Sequence, residues 1–205
     1  MESTVRASGG QRPGGRTADV TLRIHEAVRR LLLESGTDAC SYKNVAERAG
    51  VERSTLYRRY PDRWDMLIDA FIDLAGTEVV PDLGHSFASD LKSVLSKLAA
   101  MLNTPLGPAV MSVAGELQAQ SRNEVARTFF DRRMSQLEPM FDAAVARGEL
   151  SAEVDGEEVF TFAAGAIYFR TFIAARGVDD AFIDRVVENV CWMFCAGSPA
   201  SRGAA

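Results

Sequence analysis

Apolar residues recur at three- and four-residue intervals in almost every part of this chain. Residues 18–35 carry Leu22, Val28, Leu31, Leu32 and Leu33, a spacing that predicts a helix, with Gly36 ending it. Residues 42–49 place Val45 and Ala49 on one face with Ala46 beside them, and Ser41 is suited to cap this short helix because its hydroxyl can accept from the first-turn N–H groups. Gly50 supplies a turn and Val51 plugs the junction. A second short helix over 52–60 turns Leu56 inward, and Pro61 stops it. A helix over 62–75 follows with Trp64, Leu67, Ile68 and Phe71. From residue 76 onward the period stays helical, with no convincing strand. Helices are predicted over 86–102, 105–120, 123–147, 156–176 and 179–195. Pro105 fits a first turn, Pro139 should kink its helix, and Gly148 reads as a helix end. The fold class is all-α.

Four parts follow from this pattern. Residues 1–16 are rich in Gly, Ser, Arg and Pro and have little to bury, so they read as a disordered segment. Arg6, Arg12 and Arg16 make it either a basic arm for phosphate or minor groove, or a plain solvated tail. Residues 17–75 form one helical domain, 76–197 a second, and 198–205 a flexible tail.

The two short helices with a glycine turn are a helix-turn-helix arrangement, in which the second helix enters the major groove. Its outward positions are Arg53, Ser54, Thr55, Tyr57, Arg58 and Arg59. Charge supports this placement. The chain is acidic overall, with net charge −5, but residues 1–60 hold 11 Lys and Arg against 7 Asp and Glu, whereas residues 61–205 hold 12 against 21. That sign asymmetry suits a DNA reader joined to an acidic sensor.

The string AGVERSTLYRRYPDRWDML resembles the signature of TetR family transcriptional regulators. Ala49, Gly50, Val51, Thr55, Leu56, Tyr57, Tyr60, Met66 and Leu67 fall in register with it. Val45-Ala46 stands for the usual Ile-Ala, Tyr60 for Phe and Arg63 for Lys. Glu52 replaces the usual Ser; an acid there repels phosphate but suits the positive end of the helix. The resemblance is strongest over residues 18–72. It implies an N-terminal three-helix DNA-binding domain and a C-terminal helical domain for ligand binding and dimerisation. The protein would be a ligand-responsive repressor that binds a palindromic double-stranded operator as a homodimer. Arg53, Ser54, Thr55 and Tyr57 are expected at base edges or close to them, and Ser41, Lys43, Arg58, Tyr60 and Arg63 at phosphates.

The same resemblance implies a cavity between the middle helices of the second domain. Phe71, Leu98, Met101, Met111, Phe130, Met134 and Phe162 are expected to line it, with His85, Glu116, Gln118, Arg133 and Arg170 as polar groups able to orient a ligand. An apolar lining favours a lipophilic or aromatic effector. The last two helices are apolar over more than one face, which demands burial on more than one side. Such helices are either central in a single chain or paired with a second one; the family's dimers pair their two C-terminal helices, so the resemblance implies that Phe160, Ile167, Phe182, Val186, Val190 and Phe194 lie at the dimer interface.

Other classes fit poorly. There is no nucleophile–base–acid constellation, no metal-ligand spacing and no P-loop, so no catalytic residue, metal or cofactor is expected. The N-terminus lacks the apolar core of a secretory signal, and no apolar run nears the roughly 18 residues of a membrane span. Cys40, Cys191 and Cys195 read as reduced, packed thiols of a cytoplasmic protein. Two alternatives remain from the residues alone: a DNA-binding regulator without a small-molecule effector, and a helical interaction protein that has lost DNA binding.

Overall fold

The computed structural model describes residues 13–119 and 121–195, with side chains from residue 17. Arg6, Arg12 and the tail after residue 197 lie outside the described residues, as does the side chain of Arg16. Among the described residues the helices are α1 (Pro13–Ser35), α2 (Tyr42–Ala49), α3 (Arg53–Arg59), α4 (Arg63–Glu78), α5 (Phe87–Leu102), α6 (Leu106–Ala119), α7 (Asn123–Ala146), α8 (Gly156–Tyr168) and α9 (Asp180–Phe194). No strand is formed among them; Leu150 and Cys195 share one isolated bridge.

The helix boundaries follow from capping chemistry. Ser41, Asp62, Ser86, Asp155 and Asp179 sit at N-caps, and each side chain accepts from a first-turn N–H. Gly50 ends α2 in the left-handed region at φ 63°, where a side chain would be strained. Two expectations are corrected. α1 begins at Pro13, so residues 13–16 are helix rather than arm; proline suits a first turn, whose N–H would have no helical partner. α8 ends at Tyr168 instead of continuing to residue 176. A wide π-turn follows over Phe169–Ile173, in which the Ala174 N–H reaches the Phe169 carbonyl, and Ala175 then takes a positive φ of 51°. α7 continues through Pro139.

One hydrophobic core runs through both halves of the molecule. α1 contributes Ile24, Val28 and Leu32, α2 Val45, and α3 Leu56; α4 extends this core with Met66 and Leu67 and then carries Phe71 and Leu74 toward α5–α9. α4 therefore belongs to both halves. At roughly 25 cal/mol per Å² of apolar area, fully burying each such side chain contributes about 1.5–3 kcal/mol.

The α5–α6 corner depends on one glycine. A Cβ built on Gly107 would lie 2.1 Å from the Leu102 carbonyl oxygen, and backbone cannot yield as a side-chain tip does. Thr104 holds the same corner, its hydroxyl donating to the Met101 carbonyl at 2.7 Å and accepting from Leu106 N at 3.2 Å. Gly107→Ala should destabilise the protein by about 1–3 kcal/mol, as overpacking does. Chemical denaturation of the two proteins tests this; equal midpoints would show that the corner relaxes freely.

Candidate nucleic-acid interface and ligand cavity

The helix-turn-helix is built from α2 and α3 against α1. Leu56 is the buried residue of α3 and anchors it. Arg23 of α1 donates to the Ala49 and Gly50 carbonyls at 3.2 and 3.3 Å, which fixes the turn. The outward face then carries Arg53, Ser54, Tyr57 and Arg58 exposed, with Thr55 half-buried beside them. Lys43 is exposed on α2, and neither it nor Arg53 or Arg58 enters an ion pair among the described residues. Other cations nearby are committed: Arg48 to Glu34 at 2.6 Å, and Arg59 to Thr21 on α1. Ser41 spends an acceptor lone pair on Asn44 N. Arg63 lies over the Trp64 ring, 4.5 Å from its centroid. Glu52 is the exposed residue at the head of α3, with no side-chain cap bond.

Tyr60 is a correction. It is only 6% exposed, and its hydroxyl donates to Asp69 Oδ2 at 2.7 Å. Burial and that bond push its pKa up. The sequence expectation of a phosphate contact does not hold for this hydroxyl, which is used inside the protein. Asp69 is the centre of a polar cluster. His25 Nε2 lies 3.0 Å from Oδ2, Arg132 Nη1 lies 3.4 Å from Oδ1, and His25 Nδ1 lies 3.4 Å from Asp73. The His25 hydrogen bond above all, with those of Tyr60 and the Arg132 charge, lowers the Asp69 carboxyl to about 2. Burial works against the charged form of His25, but the bond to Asp69 and the two carboxylates outweigh it and raise its pKa. Tyr42 continues the chain of contacts: its hydroxyl donates to the Tyr60 carbonyl at 2.7 Å, and its ring lies 4.5 Å from that of Tyr57.

The second site is a cavity of about 240 Å³ between α4, α5, α7 and α8. Phe71, Leu98, Met101 and Phe130 line it as expected, joined by Phe129, Arg133, Phe160, Ala164 and Tyr168. Three expected lining residues do not reach it. Met111 is half-buried on another face of α6. Met134 lines a separate groove against Phe141 and Gly156. Phe162 is 51% exposed and packs on Phe194, with ring centroids 5.8 Å apart. Of the polar candidates only Arg133 lines this cavity. His85 and Glu116 are exposed, Gln118 lines a smaller neighbouring cavity, and Arg170 donates to the Gly177 carbonyl. The missed wall of α8 was legible in principle: residues 160, 164 and 168 repeat every four positions.

The outer face of α8 and α9 also needs correction. Phe160, Ile167, Val186 and Val190 are buried within the chain's own core, so they are not offered to a second chain. Phe182 lies half-buried beneath Arg170. The large apolar residues exposed on this side are Phe162, Phe169, Ile173 and Trp192. The thiol of Cys40 is buried and its pKa is raised to about 11 by that burial, so it stays protonated at neutral pH. No single helix among the described residues is long and apolar enough to cross a membrane.

Comparison with known proteins places both halves. Residues 24–70 match the family described as bacterial regulatory proteins, tetR family, and residues 80–190 match the tetracyclin repressor-like C-terminal domain. The chain is similar to the uncharacterized HTH-type transcriptional regulator YdeS of Bacillus subtilis strain 168, with 30% identity over 169 residues, covering 81% of this chain and 85% of that one. It is 28% identical over 167 residues to the DNA-binding transcriptional repressor TetR of Mycobacteroides abscessus, covering 78% and 86%. Among solved structures, the TetR family transcription regulator SCO0332 superposes with a TM-score of 0.72 at 27% identity, covering 84% of this chain and 97% of that one. These matches are transcriptional regulators, not enzymes.

The Asp69 cluster sets a pH dependence. Asp69 has a depressed folded pKa, so its contribution is present above the ordinary value of 3.8 and is lost as pH falls toward 2. His25 has a raised one, so its contribution is present below 6.5 and is lost as pH rises through the raised value. The melting temperature should therefore peak between about pH 4 and 6.5, and Asp69→Asn should flatten both flanks. Tyr60→Phe should cost about 1–3 kcal/mol, as expected for a lost hydrogen bond to a half-buried carboxylate, and should leave the salt dependence of DNA binding unchanged. A reduced salt slope in that variant would return Tyr60 to the phosphate contacts.

Proposed function

The chain belongs to the TetR family of bacterial DNA-binding regulators, and from that premise we propose that it is a ligand-responsive repressor that grips a palindromic operator as a homodimer. The observation that carries this reading is the outward face of α3, where Arg53, Ser54, Tyr57 and Arg58 stand exposed beside Lys43, with no ion pair to neutralise the three cations among the described residues. Cations held out in this way release counterions from DNA when they meet phosphate. Arg53, Thr55 and Tyr57 read base edges; arginine pairs with guanine bidentately. Ser54 supports them at the head of the helix. Lys43, Arg58 and Arg63 hold phosphates, with Ser41 at the N-cap of α2.

A seven-residue reading helix meets only half a site, so a twofold dimer is needed to read a palindrome. Phe162, Phe169, Ile173 and Trp192 form the face that pairs with the same face of a second copy. The cavity takes a small lipophilic or aromatic effector, in the cytoplasm, where the operator is. α4 joins the reading head to the cavity wall. An effector that prefers a different setting of α4 moves the two heads out of step with successive major grooves. DNA must then weaken effector binding by the same factor. The name of the Mycobacteroides abscessus relative supports repression.

The test is binding of the purified protein to DNA upstream of its own gene across a salt series. A site-specific complex whose affinity falls steeply with salt is expected. Arg58→Ala should lower the salt slope by about 0.9 and weaken all sequences alike. Arg53→Ala should cost about 1–3 kcal/mol on the operator and relax specificity at one base pair. Retention of full sequence preference without Arg53 would remove it from base readout, and failure to prefer any sequence would remove the repressor reading.

A further inference from the structure

The cavity between α4, α5, α7 and α8 is apolar on nearly every side, yet one of its lining residues carries a full charge. Arg133 is 6% exposed and is the sole charged residue among those that line the cavity. Its hydrogen bonds go only to neutral acceptors. Nη2 donates to the Val79 carbonyl at 2.5 Å, and Nη1 donates to the Ala75 carbonyl at 3.4 Å and to Gln136 Oε1 at 3.2 Å. Of its five N–H donors, Nε–H and one proton on Nη2 make no hydrogen bond among the described residues. No carboxylate lies within ion-pair distance among them either. The other arginines of this region are answered: Arg122 by Asp62 at 2.6 Å and Arg132 by Asp69 at 3.4 Å.

A buried charge without a counter-ion is costly, and proteins ordinarily pair it. The negative end of α4, to which Ala75 and Val79 belong, offsets part of this cost. It does not supply a full negative charge. Burial lowers the guanidinium pKa to about 10, which still leaves it cationic at neutral pH. The Phe160 ring, 5.8 Å from the guanidinium carbon, and Tyr168 complete the wall around it. A planar fork with two free donors, set in an apolar chamber, matches a carboxylate attached to an apolar body.

We propose that the effector is an anion: a small aromatic or acyl monocarboxylate whose body fills the cavity and whose carboxylate pairs with Arg133. This rests on the reading of the cavity as the effector site. It also gives the signal a route. The guanidinium that would meet the carboxylate is the one that holds the Ala75 and Val79 carbonyls. An anion drawing it inward competes with those bonds and loosens the end of the helix that carries the reading head.

The experiment is calorimetric titration of the full-length protein at pH 7 with 2-naphthoate and with its uncharged isostere 2-naphthamide. The acid should bind about 10–100-fold more tightly, the range of a hydrogen bond to a charged group. Arg133→Met keeps an apolar stem and removes the charge; it should erase the preference and leave the amide affinity within about threefold, on the ordinary margin for a conserved apolar contact. The wild-type pair decides the matter even where that variant fails to fold. Equal affinity of the wild-type protein for acid and amide overturns the anion assignment and leaves the apolar effector cavity standing. Binding of neither overturns both.

Discussion

The seam between α4 and α7 is the constraint on which the rest of the molecule depends. α4 leaves the reading head with Trp64, Met66 and Leu67 packed in the core and reaches the cavity with Phe71 and Ala75. α7 and the residue that precedes it grip α4 at successive levels. Arg122 meets Asp62 at its start, Arg132 meets Asp69 at its middle, Gln136 donates to the Ile72 carbonyl, and Arg133 holds the carbonyls of Ala75 and Val79 at its end. Gly76 leaves room for the Gln136 side chain: a Cβ there would lie 2.4 Å from Gln136 Nε2. α4 is thus held at its start, middle and end by one neighbouring helix.

The polar groups in this seam have a separate role from the apolar ones. Apolar packing is non-directional and sets only that α4 is buried. The carboxylate of Asp69, shared by His25, Tyr60 and Arg132, is directional and sets where along α7 it sits. From Tyr60 the contacts run through Tyr42 to Tyr57 on the reading helix. A residue that looks like a DNA contact on a helical wheel thus ties the end of α3 to α4. Arg59 behaves similarly, turned back onto Thr21 of α1.

Much of the fold and of the exposed face of α3 was legible in the residues. Ser41, Asp62, Ser86 and Asp179 mark helix starts because capping is a local event, decided by a side chain and the N–H groups two or three residues on. Gly50 marks the turn for an equally local reason. The exposed positions of α3 follow from which side Leu56 must face. The cavity was half legible: Phe71, Leu98, Met101 and Phe130 reach it, whereas Met111, Met134 and Phe162 are turned elsewhere. Period places a residue on a face, but not against a particular neighbour. The apolar α8 and α9 illustrate this best, since Ile167 and Val190 serve the chain's own core and Phe169 and Ile173 face outward from a π-turn that no periodicity marks.

By itself, the sequence determined an all-α chain, the position and order of its helices, the helix-turn-helix and the charge of its outward face. All of these rest on interactions within a few residues or on the sum of charges. Only the tertiary structure decided which polar side chains were consumed internally and which were left over. Tyr60 and Arg133 both carry hydrogen-bonding groups on helical residues or at a helix end, and nothing local separates them. The arrival of Asp69 satisfies the first, and the absence of any nearby carboxylate among the described residues leaves the second charged and unanswered beside an apolar cavity. Partnership of that kind is set by chain segments 9 to 58 residues apart, and so it exists only once the helices have packed.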